Sequence, residues 1–320
     1  MKLRGIEFGR AFNASGARNF RGHDAWWFHK FAGLDYRGCT LVTKTTTLLP
    51  RKGFMPLERG TTRPREFVPK CIVVKPISGV VLNKVGLSGP GLKWLLDDGS
   101  WQVNAEPFVI SIMAVEKAKA DRLAEIQAMA ELIAKERPDF CAPFALQINF
   151  SCPNVGHEQK EMVGEVAETL EILTKHLPGV PLMAKFNAIL STSEARNIAK
   201  HQACDAIVMG NTIPWGQMPE RIDWKKLFGS DKSPLAGFGD DPGGGGLSGS
   251  PLLPIVCGWI HEARQIGIEK PIVACGGILD TNDVFMTKSA GASAIEVGSA
   301  SILRPWRVQS IIDMANRMFE

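Results

Sequence analysis

The residues able to do chemistry fall into a few groups. NFSCPN at 149–154 sets a thiol, Cys152, between the amides of Asn149 and Asn154, directly after the apolar run FALQI. A cysteine ionises near ~8.5, so a stabilised thiolate can take a proton from a weak acid. Pro153 stops a helix from continuing there, and Ser151 and Asn154 keep the surroundings polar. Most cysteines are small buried hydrophobes, and Cys71, Cys141, Cys204 and Cys257 are read that way. His157 is near in sequence, but nothing suggests a Cys–His–Asn triad, so thiol acyl chemistry is the weaker reading. Lys44 and Lys185 end the apolar runs TLVTK and PLMAKF. An inward lysine is costly unless it meets an anion or a polarised carbonyl; otherwise it reaches for solvent. Asn83, Asn149, Asn154 and Asn211 each offer a donor and an acceptor on one amide, which suits the edge of a planar imide, although asparagine also serves turns. Gly276–Gly277 and Gly298–Ser299 follow apolar runs and precede helical ones, and GGLSG at 245–249 precedes another. Such turns let backbone N–H groups approach a phosphate; singly they are ordinary helix starts, but together at the last two strands they favour an anion.

These residues need a scaffold that gathers strand ends. Short β-rich runs occur at 10–14, 40–44, 108–114, 145–150, 181–186, 206–211, 271–277 and 294–299. Helical stretches are expected at 23–32, 116–135, 163–176, 193–201, 251–266 and 282–290, with a last one at 305–319. Eight strands with crossover helices predict one α/β domain over 1–320, a single (β/α)8 TIM barrel. Continuous apolar runs agree with parallel strands buried on both faces. An open doubly wound sheet would place GxGxxG after its first strand, and none stands there. Two segments exceed plain connections: 45–106, with a possible extra hairpin in FVPKCIVV and GVV after the second strand, and 213–250 after the sixth. Loops this long usually wall a site.

Composition narrows the classes. Hydrophobic residues make up 45% of 320, enough for a sizeable core, and a net charge of +4 without a basic block gives no case for nucleic acid. No apolar stretch approaches a membrane span and no signal-peptide core is visible, so a cytoplasmic protein is expected. Seven scattered cysteines without CxxC, and histidines without HxxxH, predict free thiols and no protein-bound metal.

In order along the chain, VTKTTTL, LNKVGL, INFSCPNV, GNT, GGLSG, ACGGI and AGASAIEVGSA resemble the class 1 dihydroorotate dehydrogenases, from FNASG at 12–16 to VGSAS at 297–301. The resemblance implies a (β/α)8 flavoenzyme of pyrimidine synthesis with FMN as cofactor. Cysteine in NxSCPN marks class 1, since the membrane-associated class 2 enzymes use serine. Carried over, Cys152 removes the C5 proton of dihydroorotate while hydride passes from C6 to flavin N5. Asn83, Asn149, Asn154, Asn211 and Thr212 would grip orotate, with Val85, Gly86 and Leu87 beside Asn83. Lys44 would face both substrate and flavin, and Lys185 would sit by the flavin N1/O2 edge. Ser15, Thr45, Asn149 and Gly210 would lie near the ring, and the phosphate would rest on Gly249, Gly276, Gly277, Gly298 and Ser299.

The chain also departs from the family. Where GNPxPR is usual it reads RKGFMPLERGTTRPRE at 51–66, and FNAIL follows Lys185 in place of a proline-containing segment. PRKG, GLSGPGLKW and GGLSGSPLLP lean towards the B subtype, which joins an FAD and iron–sulfur subunit in a heterotetramer and reduces NAD; the A subtype is a homodimer that reduces fumarate. Two rivals stand beside this reading. One is a dihydropyrimidine dehydrogenase-like flavoenzyme, in which histidine tends to replace Asn154; the other is a non-catalytic barrel that binds a phosphate ligand.

Overall fold

Residues 1–22, 32–151, 163–238 and 243–319 are described by a computed structural model. The chain opens with a hairpin, β1 (Lys2–Leu3) and β2 (Ile6–Glu7), followed by β3 (Ala11–Asn13). A second hairpin comprises β4 (Ile72–Lys75) and β5 (Val80–Asn83), at the place where FVPKCIVV and GVV predict one. Then come β6 (Phe108–Ile112), β7 (Phe144–Asn149), β8 (Leu182–Phe186), β9 (Ala206–Met209), β10 (Ile213–Pro214), β11 (Gly246–Gly249), β12 (Ile272–Cys275) and β13 (Ala294–Val297).

Seven of these strands form one parallel sheet in the order β3-β13-β12-β9-β8-β7-β6. Its two edges are linked through residues 40–46, which make parallel bridges from Thr40 to Phe12 of β3, from Val42 to Val109 of β6 and from Thr46 to Ile112. The architecture is a TIM-barrel-like α/β fold. Helices α1 (Leu92–Asp97), α2 (Lys119–Glu136), α3 (Val166–His176), α4 (Thr192–Lys200), α5 (Trp224–Phe228), α6 (Leu252–Gln265), α7 (Thr281–Ser289), α8 (Ala300–Leu303) and α9 (Val308–Met318) complete it. Five of the expected helices appear within a few residues of their predicted ends. Capping boxes, Ser191 with Glu194 and Asp280 with Asp283, explain the starts of α4 and α7. The expected helix over 305–319 begins as a 3₁₀ turn at Pro305–Arg307 before α9. The one expected over 23–32 lies, apart from Ala32, outside the described residues.

Alternation along each strand sorts the side chains into two cores. Leu146, Ile148, Leu182, Ala184, Ile295 and Val297 pack outward among the helices. Phe12, Val42, Val109, Ala145, Met183, Val273 and Ala294 point the other way and pack together, joined by Met1, Leu3 and Phe8 from the N-terminal segment. Arg4 in the β1–β2 turn holds Asp205, just before β9, with Nε 2.9 and 2.8 Å from the two carboxylate oxygens. The hairpin therefore sits at the N-terminal ends of the strands and leaves their C-terminal ends open.

A smaller antiparallel sheet, in the order β10-β11-β5-β4, lies beside that open end. GGLSG, expected as a turn, is largely strand β11, which pairs with β5 from Gly246–Asn83 to Gly249–Val80. This pairing ties the two long insertions together and brings Asn83 towards the strand ends.

Candidate active site

The interior of the sheet changes character as it rises. Counting by twos from the apolar layer, Ala145 leads to Gln147 and Asn149, Met183 to Lys185, Val273 to Cys275 and Ala294 to Glu296. Above the apolar floor the strands thus supply a buried polar layer. Lys185 Nζ lies 2.6 Å from Glu296 Oε2 and donates towards the Cys275 sulfur at 3.9 Å. Gln147 Nε2 donates to the other oxygen of Glu296. Burial works against the Lys185 ammonium, but Cys275 and Glu296 outweigh it and hold its pKa above the ordinary lysine value. Burial also pushes the Cys275 thiol up to about 12, so at neutral pH the counter-charge of Lys185 is the Glu296 carboxylate.

Over this layer lies a cavity of about 500 Å³. Ser15, Lys44, Thr45, Asn83, Val85, Gly86, Leu87, Asn149, Lys185, Gly210, Asn211, Thr212, Gly276, Gly277, Gly298 and Ser299 all line it. Of the described residues expected to bind substrate or cofactor, only Gly249 is off the wall; its backbone packs against Gly79, and its neighbour Ser248 reaches the cavity instead. Cys152, Pro153, Asn154 and His157 lie outside the described residues. Asn211 Nδ2 donates to Asn149 Oδ1 at 3.0 Å and to Ser151 Oγ at 3.3 Å, and Ser151 N donates to Asn149 Oδ1 at 3.1 Å. The chain therefore leaves towards Cys152 from a point already fastened to two of the expected substrate amides.

Lys44 is buried on the other side of the cavity. Its Nζ donates to the Ser88 carbonyl at 2.5 Å and stands 4.9 Å from the Phe20 ring centroid. Burial pushes it down to about 8, with a smaller opposing effect from Cys71. Ser15 and Thr45 share a hydroxyl contact of 2.9 Å, which continues from Thr45 to Ser111 at 2.9 Å. The glycine turns of the neighbouring β12 and β13 line the cavity together with Asn149 at the end of β7 and Asn211 after β9, the strand next to β12. The pocket is large enough for a flavin mononucleotide, with backbone amides for its phosphate and hydroxyls and lysines for its ring.

The insertion over 45–106 walls the site as its length predicts, through residues that the sequence did not single out. Met55, Pro64, Phe67, Val68 and Pro69, from the divergent segment and its continuation, line the cavity, as do Ile72 and Val74 of β4. Cys275 stands at a strand end as CGG implies, whereas Glu296 was not anticipated. The parity of AIEV, with Ala294 inward, would have pointed Glu296 to the barrel interior.

The model of the family described as dihydroorotate dehydrogenase matches residues 31–318. The chain belongs to the dihydroorotate dehydrogenase family. Its curated relatives include the proteins named dihydroorotate dehydrogenase B (NAD(+)), catalytic subunit, of Geobacillus kaustophilus and Anoxybacillus flavithermus. The first is 33% identical over 258 residues, 79% of this chain and 75% of the relative; the second is 32% identical over 291 residues, 89% and 80%. Among solved structures, that of the dihydroorotate dehydrogenase of Eimeria tenella in complex with ferulenol covers 98% of this chain and 82% of its own at a TM-score of 0.67. At 19% identity that likeness speaks for the fold. Enzymes of the family are FMN-dependent oxidoreductases of pyrimidine biosynthesis that act on dihydroorotate. Among the described residues, no helix is long and apolar enough to cross a membrane.

Proposed function

We propose that this chain is the FMN-binding catalytic subunit of an NAD-linked dihydroorotate dehydrogenase, built on a closed (β/α)8 barrel. The parallel bridges of residues 40–46 to β3 and β6 support the eighth position. The observation that carries the catalytic reading is the single cavity gathering Lys44, Lys185, Asn83, Asn149, Asn211 and the glycine turns of β12 and β13.

Bound FMN supplies the acceptor for the hydride that leaves C6 of the substrate. The chain's own groups do the rest. Asn83, Asn149 and Asn211, with Asn154, pair with the amide edges of the pyrimidine, donor to acceptor and acceptor to donor. Lys44 meets the substrate carboxylate, and a bound anion restores the charge that burial disfavours. Cys152 takes the C5 proton, so that C5–H and C6–H break and the C5=C6 double bond of orotate forms. The backbone amides of Gly276, Gly277, Gly298 and Ser299 receive the FMN phosphate. The relatives' name, catalytic subunit, supports a partner chain, and the assembly proposed is a homodimer core joined to an FAD and iron–sulfur subunit.

Anaerobic addition of dihydroorotate to the purified yellow protein tests the reading. Bleaching of the flavin band within the mixing time of a turnover is expected. A flavin band that persists with dihydroorotate would overturn the substrate assignment and direct attention to the 51–69 wall.

A further inference from the structure

Glu296 has no task in the proposed reaction, yet it lies 1% exposed beneath the cavity and contributes to its lining. Alternation along β13 points it inward above Ala294. The groups facing it come from three other strands: Lys185 of β8 at 2.6 Å, Gln147 of β7, and Cys275 of β12, its register partner. Cys39 also lies within electrostatic reach. Burial pushes both Cys39 and Cys275 up to about 12, so both are neutral thiols at pH 7. What remains is one carboxylate against one ammonium, each almost wholly buried.

We propose that Glu296 is a positioning residue that sets the charge Lys185 presents to the flavin pocket, the two acting as one neutral pair that keeps the bound flavin harder to reduce than a free lysine would. The proposal rests on FMN occupying the cavity described above. Reduction places negative charge on the flavin; a buried cation next to it favours that charge, and a carboxylate behind the cation cancels much of the effect. The pair also keeps Lys185 in place, since a buried lysine without a partner would turn towards water or lose its proton.

The test is the reduction equilibrium of the bound flavin, read against a reference dye during slow anaerobic photoreduction, which needs no turnover. Glu296→Gln keeps the shape and the contact with Lys185 while removing the negative charge. It is expected to shift the equilibrium towards the reduced form by about tenfold or more, roughly 30 mV for a two-electron couple. Lys185→Met is expected to shift it the other way by about the same factor, and the double variant Lys185→Met/Glu296→Gln to return to within roughly threefold of the parent. Thermal melts alongside separate this from a purely structural role, which would lower the melting temperature and leave the potential in place. A flavin-replete Glu296→Gln protein with the parent's potential, or a lower one, overturns the proposal. Should Glu296→Gln fail to fold, the comparison of Lys185→Met with the double variant still decides, because removing both charges of a buried pair is tolerated better than removing one. The double variant must then be the more easily reduced by about tenfold, and equality overturns the proposal. A parent protein that is colourless and takes up no added FMN sinks the flavin reading and this inference together. Flavin-replete variants with equal potentials sink this inference alone.

Discussion

Lys44 carries a tension between stability and binding that is legible in its contacts. Its ammonium is held down to about 8 by burial, against an ordinary lysine value of 10.5. Between those values the unfolded chain holds a proton that the folded chain has released, so stability from this group rises with pH across the window and the full penalty applies below about 8. Lys44→Met removes a penalty on the order of 3 kcal/mol but leaves the Ser88 carbonyl without its donor, at about 1–3 kcal/mol. A net change at pH 7 between neutral and about 2 kcal/mol stabilising is expected, becoming less favourable by pH 9.5, while orotate binding weakens by about tenfold or more. Melting curves at the two pH values and an orotate titration measure both, and a clearly destabilised variant at pH 7 would mean that the buried charge is compensated by something else. In the parent protein, orotate affinity should fall as pH rises through about 8, where Lys44 loses its proton. For Cys152, replacement by alanine should leave FMN bound and slow reduction of the flavin by dihydroorotate by orders of magnitude, with Cys152→Ser recovering activity only at high pH. An unchanged stopped-flow rate for Cys152→Ala would remove it from the base role. Lys44, Lys185, Asn149 and Asn211 could be picked out because polar groups at the ends of apolar runs have few structural uses. Strand parity could turn Glu296 inward but could not give its pairing with Lys185, which stands 111 positions earlier and is brought to it only by the folded sheet.

At the scale of elements, the turn after β12 shows how tightly the strand ends are built. Gly277 has φ +76°, and an added Cβ would come within 2.5 Å of Leu253 N at the start of α6. Gly298 has no such backbone demand; its added Cβ would meet the Ala14 side chain at 2.9 Å. Gly277→Ala should therefore cost about 1–3 kcal/mol and release FMN, whereas Gly298→Ala should cost less and loosen FMN without unfolding the turn. Melting temperature and flavin content of the purified variants check the order, and equal losses would show that the backbone of the β12 turn can yield. The helices that flank the sheet were legible from their periodicity and caps, Ser191 with Glu194 being the plainest. Of the antiparallel sheet the β4–β5 hairpin was legible but the pairing of β5 with β11 was not, because these strands meet across 163 residues and neither insertion predicts its partner. Residues 40–44, read as a strand, pair with their neighbours only through isolated bridges, because side chains take the place of backbone partners in the ladder: Val42 N donates to Asn13 Oδ1, and Ser111 N to Thr43 Oγ1.

For the molecule as a whole, the open question is where the electrons go after the flavin. The proposed site takes substrate and FMN; the seven cysteines are scattered without CxxC spacing, and among the described residues no group of three or more metal-ligating side chains is found. Relatives named as NAD-linked catalytic subunits point to a second chain for the transfer to NAD, as proposed above. The expected outcome is specific. The isolated chain, reduced by dihydroorotate without oxygen, should be reoxidised by NAD at least about 100-fold more slowly than the same chain mixed with the proposed FAD and iron–sulfur subunit. Reference dyes should reoxidise both at similar rates, because they need only reach the flavin edge. Fast reoxidation of the isolated chain by NAD would mean that nicotinamide enters this cavity itself, and the walls formed by Phe67, Val68 and Val74 would be the place to seek its contacts. Reoxidation of the isolated chain by fumarate at a comparable rate would instead assign it to the homodimeric subtype, with the same site used alternately by both substrates.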